Sequence, residues 1–138
     1  EEKTNVLEKK LIKNLQLNEK NILFISGDNS KLKNYYLNST ALIYPSKNEG
    51  FGFPPLEAMS FGCPVITSNN PAILEATDLS LYTFNPESPQ DIALKLENII
   101  YSKNSINHLI YHGLTRIKQL SWKKTSSQIL EIYDNLLN

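Results

Sequence analysis

The sequence predicts an α/β fold: a parallel sheet with helices on both faces. Three observations predict it. Short apolar runs of strand length alternate with segments whose apolar residues recur at helical spacing. The 41% hydrophobic share is ordinary for a globular chain and can supply one core. No repeat, low-complexity tract or long linker interrupts the 138 residues, so a single domain is expected.

The elements follow in order. Leu7, Leu11 and Leu15 mark one helix face around Thr4 to Leu15. Asn21 to Ser26 reads as a strand, and Leu32, Tyr35 and Tyr36 fit one face of a helix near Lys31 to Asn38. Ala41 to Tyr44 is a short apolar strand, ended by Pro45, which has no N–H for the ladder. A helix starts at Pro55, because Pro54 precedes a proline and is biased away from helical angles. Gly62 closes that helix. Val65 to Thr67 is the next strand, Ala72 to Ala76 a short helix, and Leu81 to Phe84 the last strand. The remainder is helical. Ser88-Pro89 opens a helix bearing Ile92, Leu96 and Ile99. Ile106, Leu109, Ile110, Leu114 and Ile117 mark a second. Ser121 is an N-cap for a third, bearing Ile129, Tyr133 and Leu136.

The most informative stretch runs from Ser46 to Met59. It places Glu49 and Glu57 on either side of a Gly50-Phe51-Gly52 turn that opens a helix. A helix start presents unpaired N–H groups and the positive end of the dipole, which suit a phosphate. Carboxylates accept hydrogen bonds from hydroxyls. Together these are what a nucleotide sugar needs, at the strand ends where open α/β sheets bind ligands. Taken singly, Glu57 is an ordinary first-turn glutamate, Glu49 a solvated loop charge, and the glycines a turn. The conjunction of strand, Glu, Gly-Phe-Gly, double proline, Glu and helix raises the functional reading.

Other signals are weaker. Formal charge sums to zero, which implies no bulk attraction to nucleic acid or an anionic membrane. Arg116 is the only arginine, an awkward inventory for clamping phosphates. Cys63 excludes an internal disulfide and reads as small buried packing rather than a nucleophile. His108 and His112 stand four apart on a helix, but no third metal ligand accompanies them. Ser121-Trp122-Lys123-Lys124 fits S-x-x-K without its companion motifs, so a helix cap is the better reading. No P-loop or dinucleotide fingerprint is present, and no apolar run is long enough to span a bilayer.

The run from Glu49 to Met59, followed by Gly62-Cys63-Pro64-Val65-Ile66, resembles the E-x7-E signature of retaining glycosyltransferases of the GT-B fold, the glycosyl transferases group 1. Looser similarity extends along nearly the whole chain, through Asn21 to Gly27, Ile73-Leu74-Glu75, Leu81 to Pro86 and Leu120-Ser121-Trp122. The resemblance implies a Rossmann-like parallel sheet, the C-terminal half of a GT-B fold. Family members carry two further strands and an Arg/Lys pair for the donor diphosphate near the start of this domain, and neither is visible here. The chain is therefore expected to be a fragment: a partial C-terminal donor-binding domain over residues 1–138, with the helices of residues 89–138 packing on it. The family strand order 3-2-1-4-5-6 sets the missing strands between Asn21–Ser26 and Ala41–Tyr44.

The resemblance also implies roles. Glu57 would accept hydrogen bonds from both ribose hydroxyls. Glu49, the catalytic position, would bond a hydroxyl of the donor sugar and stabilise positive charge at its anomeric carbon. Gly50, Phe51 and Gly52 would offer backbone N–H groups to the sugar, and Leu56 its N–H to a phosphate. Gly27, Asp28, Ser30 and Lys33 fall where the family's base-contacting loop lies, although Lys33 alone reads as a solvated helix lysine. No metal and no cofactor are expected; the partners are a nucleoside-diphosphate sugar, a glycan or lipid-linked acceptor, and an N-terminal domain. A cytoplasmic site, extending to the inner face of the membrane, is implied. Two other readings stay open: a non-catalytic nucleotide-sugar-binding or interaction module of the same fold, and a related sugar-nucleotide epimerase. Retention of both glutamates disfavours the first, and the E-x7-E pattern favours transfer over the second.

Overall fold

The computed structural model describes residues 6–25, 28–79 and 81–137. The chain divides into two compact units, Glu1–Lys33 and Asn34–Asn138.

The first unit holds helix α1 (Val6–Asn14) and a 3-10 turn (Glu19–Asn21). Gln16, at φ 53°, lets the chain leave α1, and Leu17 N–H bonds the Ile12 carbonyl at 3.1 Å. The strand expected over Asn21 to Ser26 is not formed among the described residues: Asn21 belongs to the 3-10 turn and residues 22–25 are irregular. The physical reason is the lack of a ladder partner. The three described strands pair only with one another, and an extended run needs a neighbour for its N–H and C=O groups. Leu23 and Phe24 are correspondingly exposed. Helix α2 (Asn29–Asn38) spans the boundary between the two units.

The second unit alternates β1 (Leu42–Tyr44), α3 (Phe53–Ser60), β2 (Val65–Ser68), α4 (Pro71–Thr77) and β3 (Thr83–Phe84), then runs through α5 (Pro89–Ile100), α6 (Lys103–Gln119) and α7 (Trp122–Leu137). The sheet order is β1-β2-β3, and both pairs are parallel. Ile43 lies opposite Ile66, and Thr67 opposite Thr83. Successive strand side chains point to opposite faces. All four residues of β2 are nonetheless buried, so both faces of the central strand are covered.

Helix α3 starts at Phe53, two residues before the expected Pro55. A helix leaves its first N–H groups without intrahelical partners, so Pro54 and Pro55 both fit its first turn, and that tolerance outweighs the bias on the residue before a proline. Gly62, at φ 70°, ends α3, and Cys63 N–H bonds the Ala58 carbonyl at 3.0 Å. Asn70 caps α4 through Ala72 N–H at 2.9 Å, Ser88 caps α5 and Ser102 caps α6. Ser121 Oγ accepts from Lys124 N–H at 3.1 Å at the start of α7.

The core joins Met59 of α3, Ile66 of β2, Phe84 of β3, Ile99 of α5 and Leu109 of α6. Cys63 lies in the same cluster; burial pushes its thiol above the ordinary value, as suits packing rather than reactivity. Helix α7 differs from the packing expected of residues 89–138. It buries none of its side chains, and Ile129, Tyr133 and Leu136 are exposed. An apolar stripe drives packing only where a surface lies against it.

Candidate functional site

The second unit gathers its polar loops at the carboxyl ends of the parallel strands. The loop after β1 carries Glu49, and Glu49 Oε1 accepts hydrogen bonds from two hydroxyls. One is the Tyr44 hydroxyl at the end of β1, and the other is Ser46 Oγ at 2.9 Å. The Tyr44 bond, with Ser46 second, holds the Glu49 carboxyl below its ordinary value. The same bond raises the Tyr44 phenol. The sign follows: this hold on the carboxylate is fully present above pH 4.5, the ordinary value, and is lost as pH falls through the lowered one.

The loop itself is tied to the next strand and helix. Ser68 Oγ, at the end of β2, donates to the Ser46 carbonyl. Asn70 Nδ2 donates to the Lys47 carbonyl at 2.9 Å while its oxygen caps α4. Lys47 Nζ pairs with Glu87 at 2.6 Å, linking the loops after β1 and β3; both side chains are largely solvated, so the pair contributes little.

Gly52 brings the loop into α3. It is buried, at φ 82°, and a Cβ there would lie 3.1 Å from Ile73 Cγ1 of α4. Gly50 faces open space. Phe51 and Phe53 flank Gly52 as an exposed pair, with ring centroids 4.9 Å apart. Two of the leading residues of α3 are prolines without N–H groups, so the free donors at this helix start come from Gly52 and Phe53, a narrower anion cradle than the sequence suggests. Leu56 is the fourth helical residue, with a buried side chain.

Glu57 is exposed and lies in the second turn of α3, not the first, because the helix starts early. Its Oε2 accepts from the Tyr36 hydroxyl at 3.4 Å. Tyr36 is buried and stacks on Phe61, with centroids 6.0 Å apart. Burial, then the Glu57 charge, pushes its phenol up to about 12, so the hydroxyl remains a donor across the physiological range. A groove of about 320 Å³ runs beside Glu57, lined by Phe51, Phe53, Leu56, Leu120 and Trp122.

The structure therefore brings Glu49, Gly50, Phe51, Gly52, Leu56 and Glu57 together on one loop and one helix. Of the suggested base loop, Gly27 lies outside the described residues, and Asp28, Ser30 and Lys33 belong to the first unit. Asp28 caps α2: its Oδ1 accepts from Ser30 Oγ at 2.6 Å and from Lys31 N–H at 3.1 Å, and these bonds, the hydroxyl first, lower its carboxyl. His112 Nε2 donates to the Thr77 carbonyl at 3.1 Å and His108 Nδ1 meets the Tyr82 hydroxyl at 3.0 Å, so both histidines serve packing. Among the described residues no three His, Cys, Asp or Glu side chains group as metal ligands, and no helix is long and apolar enough to cross a membrane.

Sequence reasoning missed the hydroxyls. Tyr44 passes for the apolar end of a strand, and Tyr36 for one aromatic on a helix face. The Tyr-x-Ser spacing ahead of Glu49 is a local signal for the first; nothing local announces the second, which lies 21 residues from Glu57.

A parallel α/β unit with two oriented carboxylates around a tight turn at its strand ends agrees with the glycosyltransferase fold class expected from the sequence. The chain belongs to the glycosyl transferases group 1 family, which it matches over residues 1–116. It is 34% identical over 95 residues to the serotype-specific mannosyltransferase WbdA of Escherichia coli, covering 69% of this chain and 12% of that protein. It is 32% identical over 115 residues to the O-antigen chain mannosyltransferase RfbU of Salmonella typhimurium, covering 80% of this chain and 32% of that one. The O-antigen biosynthesis glycosyltransferase WclY of Escherichia coli is 34% identical over 98 residues, 70% of this chain and 26% of WclY. The chain thus spans between about a tenth and a third of these relatives. Among solved structures, sucrose-phosphate synthase from Thermosynechococcus elongatus superposes with a TM-score of 0.79 at 23% identity, over 94% of this chain and 33% of that one. That likeness shows the fold, the GT-B class expected from the sequence.

Proposed function

We propose that this chain forms the donor-binding part of a retaining glycosyltransferase, which moves a hexose from a nucleoside diphosphate to a growing surface glycan or lipid-linked acceptor. The single observation that carries the reading is the pair of carboxylates, Glu49 and Glu57, each held by a tyrosine hydroxyl on either side of the left-handed turn at Gly52. Mannose is the proposed sugar, because WbdA and RfbU are mannosyltransferases by name, and an O-antigen type of polysaccharide or lipopolysaccharide is the proposed acceptor. An N-terminal domain would hold that acceptor, in the cytoplasm at the inner face of the membrane.

The assigned chemistry follows from the residues. Glu57 accepts the two ribose hydroxyls, for which a carboxylate has acceptors enough. Glu49 bonds a hydroxyl of the donor sugar and faces the positive charge that develops at the anomeric carbon. The N–H groups of Gly50, Phe51 and Gly52 meet the sugar, and the start of α3, the turn that Leu56 closes, faces a phosphate. Asp28, Ser30 and Lys33 are assigned to the base from the sequence resemblance alone. Binding and transfer proceed without a metal.

Calorimetric titration of the chain with UDP, GDP and ADP, each beside its hexose-linked form and all in EDTA, tests this. One nucleotide is expected to bind, and Glu57→Ala to weaken it at least tenfold, the loss of a pair of hydrogen bonds to a charged group. Unchanged affinity in Glu57→Ala removes Glu57 from the site. Binding that appears only when divalent metal is restored overturns the metal-free reading.

A further inference from the structure

We propose that Tyr44 and Ser46 are positioning residues that lock one oxygen of Glu49 and so aim the other oxygen at the ligand. This rests on the reading of Glu49 as the sugar-facing carboxylate. Both hydroxyls converge on the same atom, Oε1. A carboxylate oxygen offers two lone-pair sites, and two hydroxyl donors fill them. Among the described residues, no hydrogen bond falls on Oε2, so Oε2 keeps its acceptor capacity for a substrate hydroxyl. One carboxylate thus divides into a structural oxygen and a working oxygen.

The two donors are themselves held. Tyr44 sits in the parallel ladder opposite Thr67. Ser46 follows one residue after Pro45, and its carbonyl accepts from Ser68 at the end of β2. Asn70 fixes the adjacent Lys47 carbonyl from the cap of α4. A glutamate on a solvated loop loses rotamer freedom when it engages a ligand. Here that ordering is complete beforehand, which is the preorganisation that electrostatic catalysis depends on. Simple loop pinning is the competing account, and it predicts a change in stability without a selective change in turnover.

The test uses the full-length protein and the UDP-, GDP- or ADP-hexose selected by the titration, with release of nucleoside diphosphate as the readout. Tyr44→Phe and Ser46→Ala are each expected to lower kcat roughly tenfold, the weight of one hydrogen bond to a charged group, with the donor KM within about twofold and the melting temperature unchanged. Ser46→Thr keeps the hydroxyl and is expected to recover most of the kcat lost in Ser46→Ala. Glu49→Gln serves as the control for the underlying reading. Unchanged turnover in Glu49→Gln overturns the role of Glu49 itself. Loss in Glu49→Gln with wild-type kcat in Tyr44→Phe and Ser46→Ala overturns the positioning role alone. A joint fall of kcat and melting temperature that Ser46→Thr does not recover also overturns it, in favour of loop pinning.

Discussion

Glu49→Gln is expected to lower turnover of the full-length enzyme by roughly a hundredfold or more while donor affinity changes little, the pattern of a group whose interaction strengthens in the transition state. The substitution keeps the size of the side chain and one carbonyl oxygen, so Tyr44 and Ser46 retain an acceptor. What it removes is the negative charge, which under the proposed transfer reaction would matter most as the bond from sugar to diphosphate breaks and positive charge gathers at the anomeric carbon. Steady-state kinetics with the donor varied check the split. Equal losses in kcat/KM and in affinity, with kcat intact, would mean that Glu49 binds the ground state only.

Gly113→Val is expected to destabilise the second unit by about 3 kcal/mol, the upper end of the usual cost of overpacking against a fixed neighbour. Gly113 is buried on α6 where that helix meets α3. A Cβ there would lie 2.9 Å from Met59 Cγ, 3.2 Å from its Cβ and 3.5 Å from its Cα. The obstruction is the root of a side chain that is 1% exposed, not a flexible tip, so α3 itself must move. Replacing a helical glycine recovers at most about 1 kcal/mol of propensity, less for a β-branched residue, and the collision outweighs it. Urea unfolding followed by circular dichroism checks the value. Because α3 carries Glu57, nucleotide affinity should fall along with stability; a wild-type midpoint would mean that the two helices part freely.

The legible parts of this protein are those whose cause is local. Ser88 and Ser121 announce helix starts, and Gly62 a helix end, because caps are satisfied within a few residues of chain. The E-x7-E stretch shows Glu49 and Glu57 for the same reason: their spacing is written in consecutive residues. What depends on a partner elsewhere is not legible. Asn21 to Ser26 has the composition of a strand, yet a strand needs a neighbour to bond with, and composition does not supply one. The stripe of Ile129, Tyr133 and Leu136 shows that α7 has an apolar side and does not say what covers it. The start of α3 was obscured by competing rules for proline, one about the preceding residue and one about free donors in the first turn. The two candidate carboxylates stand in one stretch of sequence; the Tyr44 hydroxyl leaves only the Tyr-x-Ser spacing as a local trace, and the Tyr36 hydroxyl that meets Glu57 follows only from the packing of α2.

Helix α4 shows where the stiffness of the Glu49 loop originates. At seven residues it is far too short to persist on its own. Its N-terminal cap, Asn70, also grips the loop, and its other end is gripped by α6. Arg116 Nε meets the Ala76 carbonyl at 2.8 Å and Nη2 the Glu75 carbonyl at 2.7 Å, beside the bond from His112 to Thr77. A cation at a helix C-terminus complements the dipole, and a guanidinium fork can hold two carbonyls where an ammonium is a single point charge. The sole arginine of the chain is therefore a fastener rather than a phosphate clamp. Loop, short helix and long helix are thus joined in series by hydrogen bonds, a chain of contacts that runs from α6 to Lys47, two residues from Glu49.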